Sequence, residues 1–360
     1  MQFLGPAPRI VTPVRRFGAR SCVSGGPLPP EAHQIGSDSA PAALKYRLPS
    51  SAHETAVHPL FTIFPTMIQR FANPYLLLTL SALSWSSNMV LGRAIRGDIP
   101  PLTLSFWRWA IAGLFVLPLA LPHLRQQWPL LKAGWRPLLV LGLLGIAGYN
   151  TFAYLGLQHT TATNAALLNS FVPIATIAIS WAFLGKHLKP LEAVGVLISL
   201  CGALTIVARG NVGVLASLDL NIGDLWMLLA VLDWALYTIA LAWRPAGVHP
   251  TLMLGTTIAI GIVALAPAYA WELAQGARMN LHPEAMAILA YIGIVPGFVS
   301  YIFYNRGVAE VGANRASLFI HLMPVFGTLL SSVFLGEVPH WYHYLGIGLI
   351  FTGIGLTMKR

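Results

Sequence analysis

The chain has 360 residues, of which 56% are hydrophobic and only 9% charged, with a mean hydropathy of +0.67. A soluble domain carries roughly 25% charged residues, so this composition excludes a solvated globular surface and assigns the chain to lipid. The formal charge of +10 does not imply nucleic acid, because its distribution follows the apolar spans.

The N-terminal extension, residues 1–69, differs in composition. Ten prolines fall within the first 66 residues, with Gly25-Gly26 and Pro29-Pro30 and no sustained apolar period. This composition predicts disorder. Arg9, Arg15, Arg16 and Arg20 precede the first acid, Glu31, a faint transit-peptide pattern. Met67 opens directly onto the first apolar span, which makes it an alternative start. Cys22 and Cys201 imply no disulfide framework, and Cys201 is expected to be a small packing residue.

Ten apolar spans follow, near 74–95, 102–121, 136–156, 163–184, 190–208, 223–243, 251–271, 285–306, 312–335 and 341–358. Each is long enough for a helix across about 30 Å of hydrocarbon. Period-2 alternation is absent, so strands are not expected. With the start of span 1 in the cytoplasm, eleven Lys and Arg fall inside: Arg70, Arg125, Lys132, Arg136, Lys186, Lys189, Arg244, Arg306, Arg315, Lys359 and Arg360. Four fall outside, Arg93, Arg96, Arg209 and Arg278. That bias predicts both termini in the cytoplasm.

The second half repeats the first. A slide of 151 positions lays Gly156–Arg209 on Gly307–Arg360 without a gap, matching Pro173 with Pro324 and Gly195 and Gly202 with Gly346 and Gly353. A slide of 149 puts Trp85 on Trp234 and Pro101 on Pro250. Residues 70–210 and 211–360 are thus two repeats of five helices. An odd number of spans inverts the second copy, and Lys186-His187-Leu188-Lys189 in the first becomes Glu337-Val338-Pro339-His340 in the second. The expected fold class is an all-α membrane protein, ten transmembrane helices in two inverted five-helix repeats. Inverted repeats around a midplane site are characteristic of secondary transporters.

Polar residues within the spans give the candidate site. Asp233 is the one acid deep in a span, with Tyr237 one turn on along the same face. A proton carrier, a counter-charge for a cationic substrate group and a structural hydrogen bond are all open for it. Ser84 holds the equivalent position in span 1. Span 1 aligns Ser81, Trp85 and Asn88, span 3 carries Tyr149, Asn150 and Tyr154, and span 8 carries Ser300, Tyr301, Tyr304 and Asn305. Amides and phenols in lipid need partners, so these faces turn to other helices or to a wet cavity. Asn169 in span 4 and His321 in span 9 sit just before Pro173 and Pro324. The two prolines are expected to kink the helices and act as gates, since each removes a backbone donor. A lone histidine is usually a satisfied packing residue, and the kink makes His321 a substrate-binding candidate as well. Arg108, within span 2, is read as snorkelling or pairing with Asp98, with anion binding as the alternative. The glycines of spans 3, 5 and 10 are read as close helix contacts.

Trp85-Ser-Ser-Asn-Met-Val-Leu-Gly-Arg93, Pro100-Pro-Leu-Thr-Leu-Ser-Phe-Trp-Arg108-Trp, Tyr154-Leu-Gly-Leu-Gln-His-Thr-Thr-Ala-Thr-Asn-Ala-Ala and the shared Pro…Phe-Leu-Gly of spans 4 and 9 together resemble the EamA-type branch of the drug/metabolite transporter superfamily. The resemblance covers residues 70 to 360. It implies a ten-helix carrier, two EamA domains and a central cavity lined by spans 1, 3, 4, 6, 8 and 9, with substrates that include amino acids, metabolites, drugs and nucleotide sugars. The expected function is secondary-active export of a small metabolite, an amino acid or amphipathic compound, across a bacterial plasma membrane. A facilitator or exchanger without proton coupling, or a non-transporting membrane protein such as a receptor or scaffold, is the alternative. The expected partners are the small-molecule substrate, the bilayer and protons, and the sequence leaves oligomeric state open, a homodimer included. No cofactor, metal site or catalytic residue is expected, because there is no Walker loop, no His-Glu-x-x-His and no second deep acid.

Overall fold

The computed structural model describes residues 73–160, 162–216, 221–335 and 338–358. The predicted extension 1–69, the alternative start at Met67 and the acidic Glu337 lie outside them. Among the described residues all regular structure is helical. In chain order the helices are α1 (Pro74–Ala94), α2 (Pro101–Ala133), α3 (Trp135–His159), α4 (Ala162–Asn169), α5 (Val172–Leu184), α6 (Pro190–Val207), the short α7 (Val212–Ala216), α8 (Ile222–Trp243), α9 (Pro250–Ala274), α10 (Pro283–Val311), α11 (Ala313–Leu335, in three pieces) and α12 (Trp341–Met358). Seven stretches among the described residues are long and apolar enough to cross a membrane: α2, α3, Asn164–Leu184, α6, α8, α9 and α10. The other three predicted spans are also helical, as the less apolar α1 and α12 and the interrupted α11.

Local chemistry sets the helix ends. Proline opens α2, α6, α9 and α10, where its missing N–H loses no intrahelical bond. Asn221 caps α8, its Oδ1 accepting from Gly223 N at 2.7 Å and Asp224 N at 3.2 Å. Gly185 ends α5 with φ of +60°, a left-handed cap that favours glycine. The start of α2 has no local cap, because Pro100 supplies no side-chain acceptor. Glu272, from the end of α9, does this instead. Its carboxylate accepts from Leu102 N at 3.1 Å, Thr103 N at 2.6 Å and Thr103 Oγ1 at 2.6 Å.

The halves interleave. α1 packs on α10 and α3 on α8, while α2 packs on α9 and α6 on α12. The α6–α12 seam is backbone on backbone. A Cβ at Gly195 would stand 2.6 Å from the Gly353 carbonyl oxygen, and one at Gly202 2.6 Å from that of Gly346. Gly348 and Gly355, on the same α12, face open space. The outer surface is apolar, with Leu114, Trp181, Phe183, Val263 and Phe351 all more than half exposed. Such side chains suit lipid, where they lose nothing by being uncovered. Cys201 is also exposed, correcting its reading as a packing residue: it lies off the glycine face of α6 that meets α12.

Four spans depart from regular geometry. α3 widens into a π-turn over Gly142–Gly148, and α10 does so over Gly293–Val299, the positions matched by the 151-residue slide. The glycines there allow close approach: the Tyr237 ring lies against Gly145, and a Cβ at Gly293 would be 2.9 Å from the Arg108 carbonyl oxygen. Span 4 is interrupted at Ser170–Phe171, between α4 and α5, and span 9 passes through a 3₁₀ turn at Leu318–His321. Both interruptions precede the matched prolines, Pro173 and Pro324. A proline ring crowds the carbonyl one turn back and offers it no donor, so the helix breaks there.

Candidate functional site

The α11 interruption, the residues just after the two π-turns and the tryptophans of α1 and α8 meet at a small enclosed cavity. Its lining combines Trp85, Asn88 and Met89 of α1, Arg108 of α2, Tyr149 and Asn150 of α3, Trp234 of α8, Tyr301 of α10, and Ile320 and Met323 of α11. The free room is about 10 Å³, the space of roughly one water. Small-molecule pockets run to about 300–1,000 Å³, so the cavity is closed in this conformation.

One wall is aromatic. Trp85 and Trp234, matched by the 149-residue slide, meet edge to face with centroids 4.9 Å apart. Tyr149 lies 4.8 Å and Tyr304 5.2 Å from Trp234, and Tyr301 lies 4.9 Å from Trp109. The rings are anchored by their polar ends. Trp85 Nε1 donates to the Pro296 carbonyl in the α10 π-turn at 3.1 Å, and Tyr301 donates to the Gly145 carbonyl in the α3 π-turn at 2.6 Å. Tyr237 donates to Asn305 Oδ1 at 2.7 Å. Tyr149 donates to Asn169 Oδ1 at 3.0 Å, and Asn169 Nδ2 approaches Met323 Sδ at 3.6 Å. Each π-turn thus exposes carbonyls that hold an aromatic side chain from another helix.

The opposite wall is polar and centred on Arg108. Its Nη1 donates to Asn150 Oδ1 at 2.7 Å, Tyr154 Oη at 2.9 Å and Asn88 Oδ1 at 3.1 Å. Tyr154 in turn donates to Asn88 Oδ1 at 3.0 Å, and Asn150 Nδ2 reaches Tyr301 Oη at 3.4 Å. Arg108 is 1% exposed. The sequence reading of a snorkelling or Asp98-paired arginine is therefore corrected: the rotation of α2 points the guanidinium inward. Asp98 instead accepts from Asn280 Nδ2 at 3.1 Å and faces His282 Nε2 at 3.4 Å.

Asp233 is buried beside this cavity without lining it. Its carboxylate presses on Gly148 at the end of the α3 π-turn, with the backbone amide of Tyr149 next to it. Oδ2 has no hydrogen-bond partner. His321 is fully buried between interruptions. Nε2 donates to the Ser170 carbonyl at 2.9 Å and Nδ1 accepts from Ser199 Oγ at 2.7 Å. One neutral tautomer satisfies both bonds, which ties the interruption after α4 to α6 and α11. Of the substrate-binding candidates, Trp85, Asn88, Tyr149, Asn150 and Tyr301 line the cavity. Tyr154 and Asn169 stand behind these as hydrogen-bond partners, Tyr237 and Asn305 bond to each other outside the lining, and His321 also lies outside it.

Of the other lining residues, Arg108 had anion binding only as its alternative reading, and Trp234, Met89, Ile320 and Met323 were not among the candidates. An arginine bracketed by Trp107 and Trp109, well inside an apolar run, was the available signal for the first. The match of Trp85 to Trp234 was the signal for the second. Among the described residues no cluster of three or more His, Cys, Asp or Glu could hold a metal ion.

An all-helical multi-pass membrane protein with an enclosed polar and aromatic cavity has the architecture of a membrane carrier. Known proteins agree. The model of the EamA-like transporter family matches twice, over residues 73–208 and 221–359. Two curated relatives are uncharacterized transporters. YyaM of Bacillus subtilis is 23% identical over 78% of this chain and 92% of its own. A protein of Archaeoglobus fulgidus is 25% identical over 79% of this chain and 97% of its own. A solved crystal structure matches with a TM-score of 0.63 at 22% identity, over 79% of this chain and 96% of that one, a likeness of fold. The chain belongs to the EamA-like transporter family.

Proposed function

We propose that this transporter is a secondary-active exporter of a small metabolite, an amino acid or amphipathic compound, working by alternating access across the plasma membrane. In this reading ten helices cross the bilayer as two inverted sets of five, with both termini in the cytoplasm. The observation that carries it is the closed cavity, which both family-matched halves line and whose room is that of about one water. A metabolite can occupy it only if the helices part, and a carrier opens to one side at a time. Residues that the repeat puts in register also touch one another: Trp85 with Trp234, Asn150 with Tyr301, Ser170 with His321. Contacts between equivalents arise where an approximate two-fold axis passes, and they support a shared central site.

Asp233 is the group assigned to proton coupling, because it is the acid buried beside the cavity. The test is uptake and counterflow of labelled amino acids and metabolites in proteoliposomes, with and without a pH gradient, for wild type and Asp233→Asn. Gradient-driven transport that the variant loses while it still exchanges supports coupling through Asp233. Equal, pH-independent exchange by both proteins supports the facilitator reading. Absence of any movement across a broad panel overturns the carrier reading.

A further inference from the structure

Arg108 is the permanent charge in the cavity wall, and among the described residues it has no counter-ion. A guanidinium stays protonated in a protein, and holding it away from water without an anion is costly. The ion pairs among the described residues are His282–Asp98, Arg306–Glu310 and Arg315–Glu192, none of which includes it. Its hydrogen bonds are unevenly spread. Three neutral oxygens crowd Nη1 at 2.7 to 3.1 Å, although that nitrogen has only two hydrogens to give. Nε, buried, has no partner at all. The Trp109 ring lies 5.0 Å from Cζ and gives weak compensation. This is a cation held ready by its neighbours and left unneutralised.

Resting on the carrier reading above, we propose that Arg108 binds the carboxylate of the transported molecule, so the substrate is a small organic acid with an apolar or aromatic body. A planar, singly charged carboxylate matches one guanidinium fork. A phosphate dianion would call for a second cation, and no other Lys or Arg lines the cavity. The facing wall of Trp85, Trp234, Tyr301 and Met323 receives the apolar part.

The experiment compares matched acid and amide pairs on the purified full-length protein: phenylacetate with phenylacetamide, and L-phenylalanine with L-phenylalaninamide, with inorganic phosphate as a further arm. Melting shift in detergent and counterflow in proteoliposomes are read for wild type, Arg108→Gln, Arg108→Lys and Asn150→Asp. Wild type is expected to prefer acids over amides by about tenfold or more, the gain from a charge-assisted pair, and to ignore phosphate. Arg108→Gln removes the preference and Arg108→Lys weakens it. Asn150→Asp places a fixed carboxylate beside Nη1 and is expected to abolish acid binding in a normally folded protein, which keeps the test decisive if Arg108→Gln does not fold. Equal response to acids and amides, a response to phosphate alone, or an acid preference that survives in Arg108→Gln or Asn150→Asp overturns the assignment. Wild type that moves only neutral or cationic compounds overturns it and leaves the carrier reading standing. If nothing moves or binds, both fall.

Discussion

Gly148 is the place where the chemistry beside the cavity rests on a missing side chain. A Cβ built on it stands 2.7 Å from Asp233 Cγ and 2.9 Å from Oδ2, with Oδ1 closer still. Gly148→Ala therefore forces either the carboxylate or helix α8 to move. Overpacking of this kind costs about 1 to 3 kcal/mol. Asp233→Ala removes the opposing atoms; it also loses the hydrogen bond from the Tyr149 amide while Oδ2 has no partner to lose, so its own cost is expected to be about 0.5 to 1.5 kcal/mol. The double variant should then be far more stable than the sum of its parts, with a coupling of roughly 1 to 3 kcal/mol in favour of the pair. A double-mutant cycle read by SDS-titrated unfolding in mixed micelles measures it. Additivity within about 0.5 kcal/mol would refute the view that Gly148 is kept small to seat Asp233.

Three further outcomes are expected. On α12, Gly353→Ala puts a Cβ 2.5 Å from the Ser199 backbone nitrogen and should destabilise by about 1 to 3 kcal/mol, whereas Gly355→Ala meets nothing and should be neutral or stabilising by up to about 1 kcal/mol; melting of the two proteins side by side decides it. Glu272→Gln keeps the shape but loses the charge that receives three donors at the start of α2, a loss of about 1.5 to 3 kcal/mol in the same assay. His249, outside the spanning segments and stacked on His123 at 3.9 Å, has its imidazole pKa lowered by burial and then by the neighbouring imidazole. A histidine lowered on folding contributes stability above its ordinary value of about 6.5 and loses it as pH falls toward the folded value. The melting temperature should therefore drop below that pH, and His123→Phe, which keeps the stack and the burial but removes the second imidazole, should lessen the drop without abolishing it.

The membrane class and the helix positions were legible in the sequence because apolar length and helix-opening prolines are local signals. The aromatic and amide positions of α1, α3 and α10 were legible for a related reason: polar groups in lipid must find partners, so Trp85, Asn88 and Tyr301 had to face inward. Helix rotation was not legible. Arg108 sits where an arginine can snorkel or turn inward, and only the packing of α2 against α3, α9 and α10 selects inward. The glycines of α3 fitted ordinary close packing, whereas the structure places them in a π-turn whose Gly145 carbonyl holds Tyr301, as the α10 π-turn holds Trp85 through Pro296. Glu272 capping α2 across 170 residues has no local signature. His321 was visible as a polar residue before a kink, but its enclosure by Ser170 and Ser199 depends on three helices meeting.

Equivalent positions around the cavity carry unlike groups. The slide of 149 sets Ser84 against Asp233, and the slide of 151 sets Asn150 against Tyr301, Ser170 against His321 and Gly148 against Val299. The repeat supplies two similar frames, but only the frame of α3 and α8 pairs an acid with the glycine that makes room for it. Arg108 adds to the imbalance, since its 149-residue counterpart on α9 is Thr257. A symmetric frame gives two conformations of comparable energy, because what one half loses on opening the other regains. Under the proposed alternating-access reading, unlike groups at equivalent places mean that a coupled proton and a charged substrate would meet different surroundings in each. In that proposed cycle, a cation on α2 in the cavity wall and an acid on α8 beside it would bias one opening over the other by the few kcal/mol that a bound charge supplies, enough to move a two-state equilibrium from one side to the other.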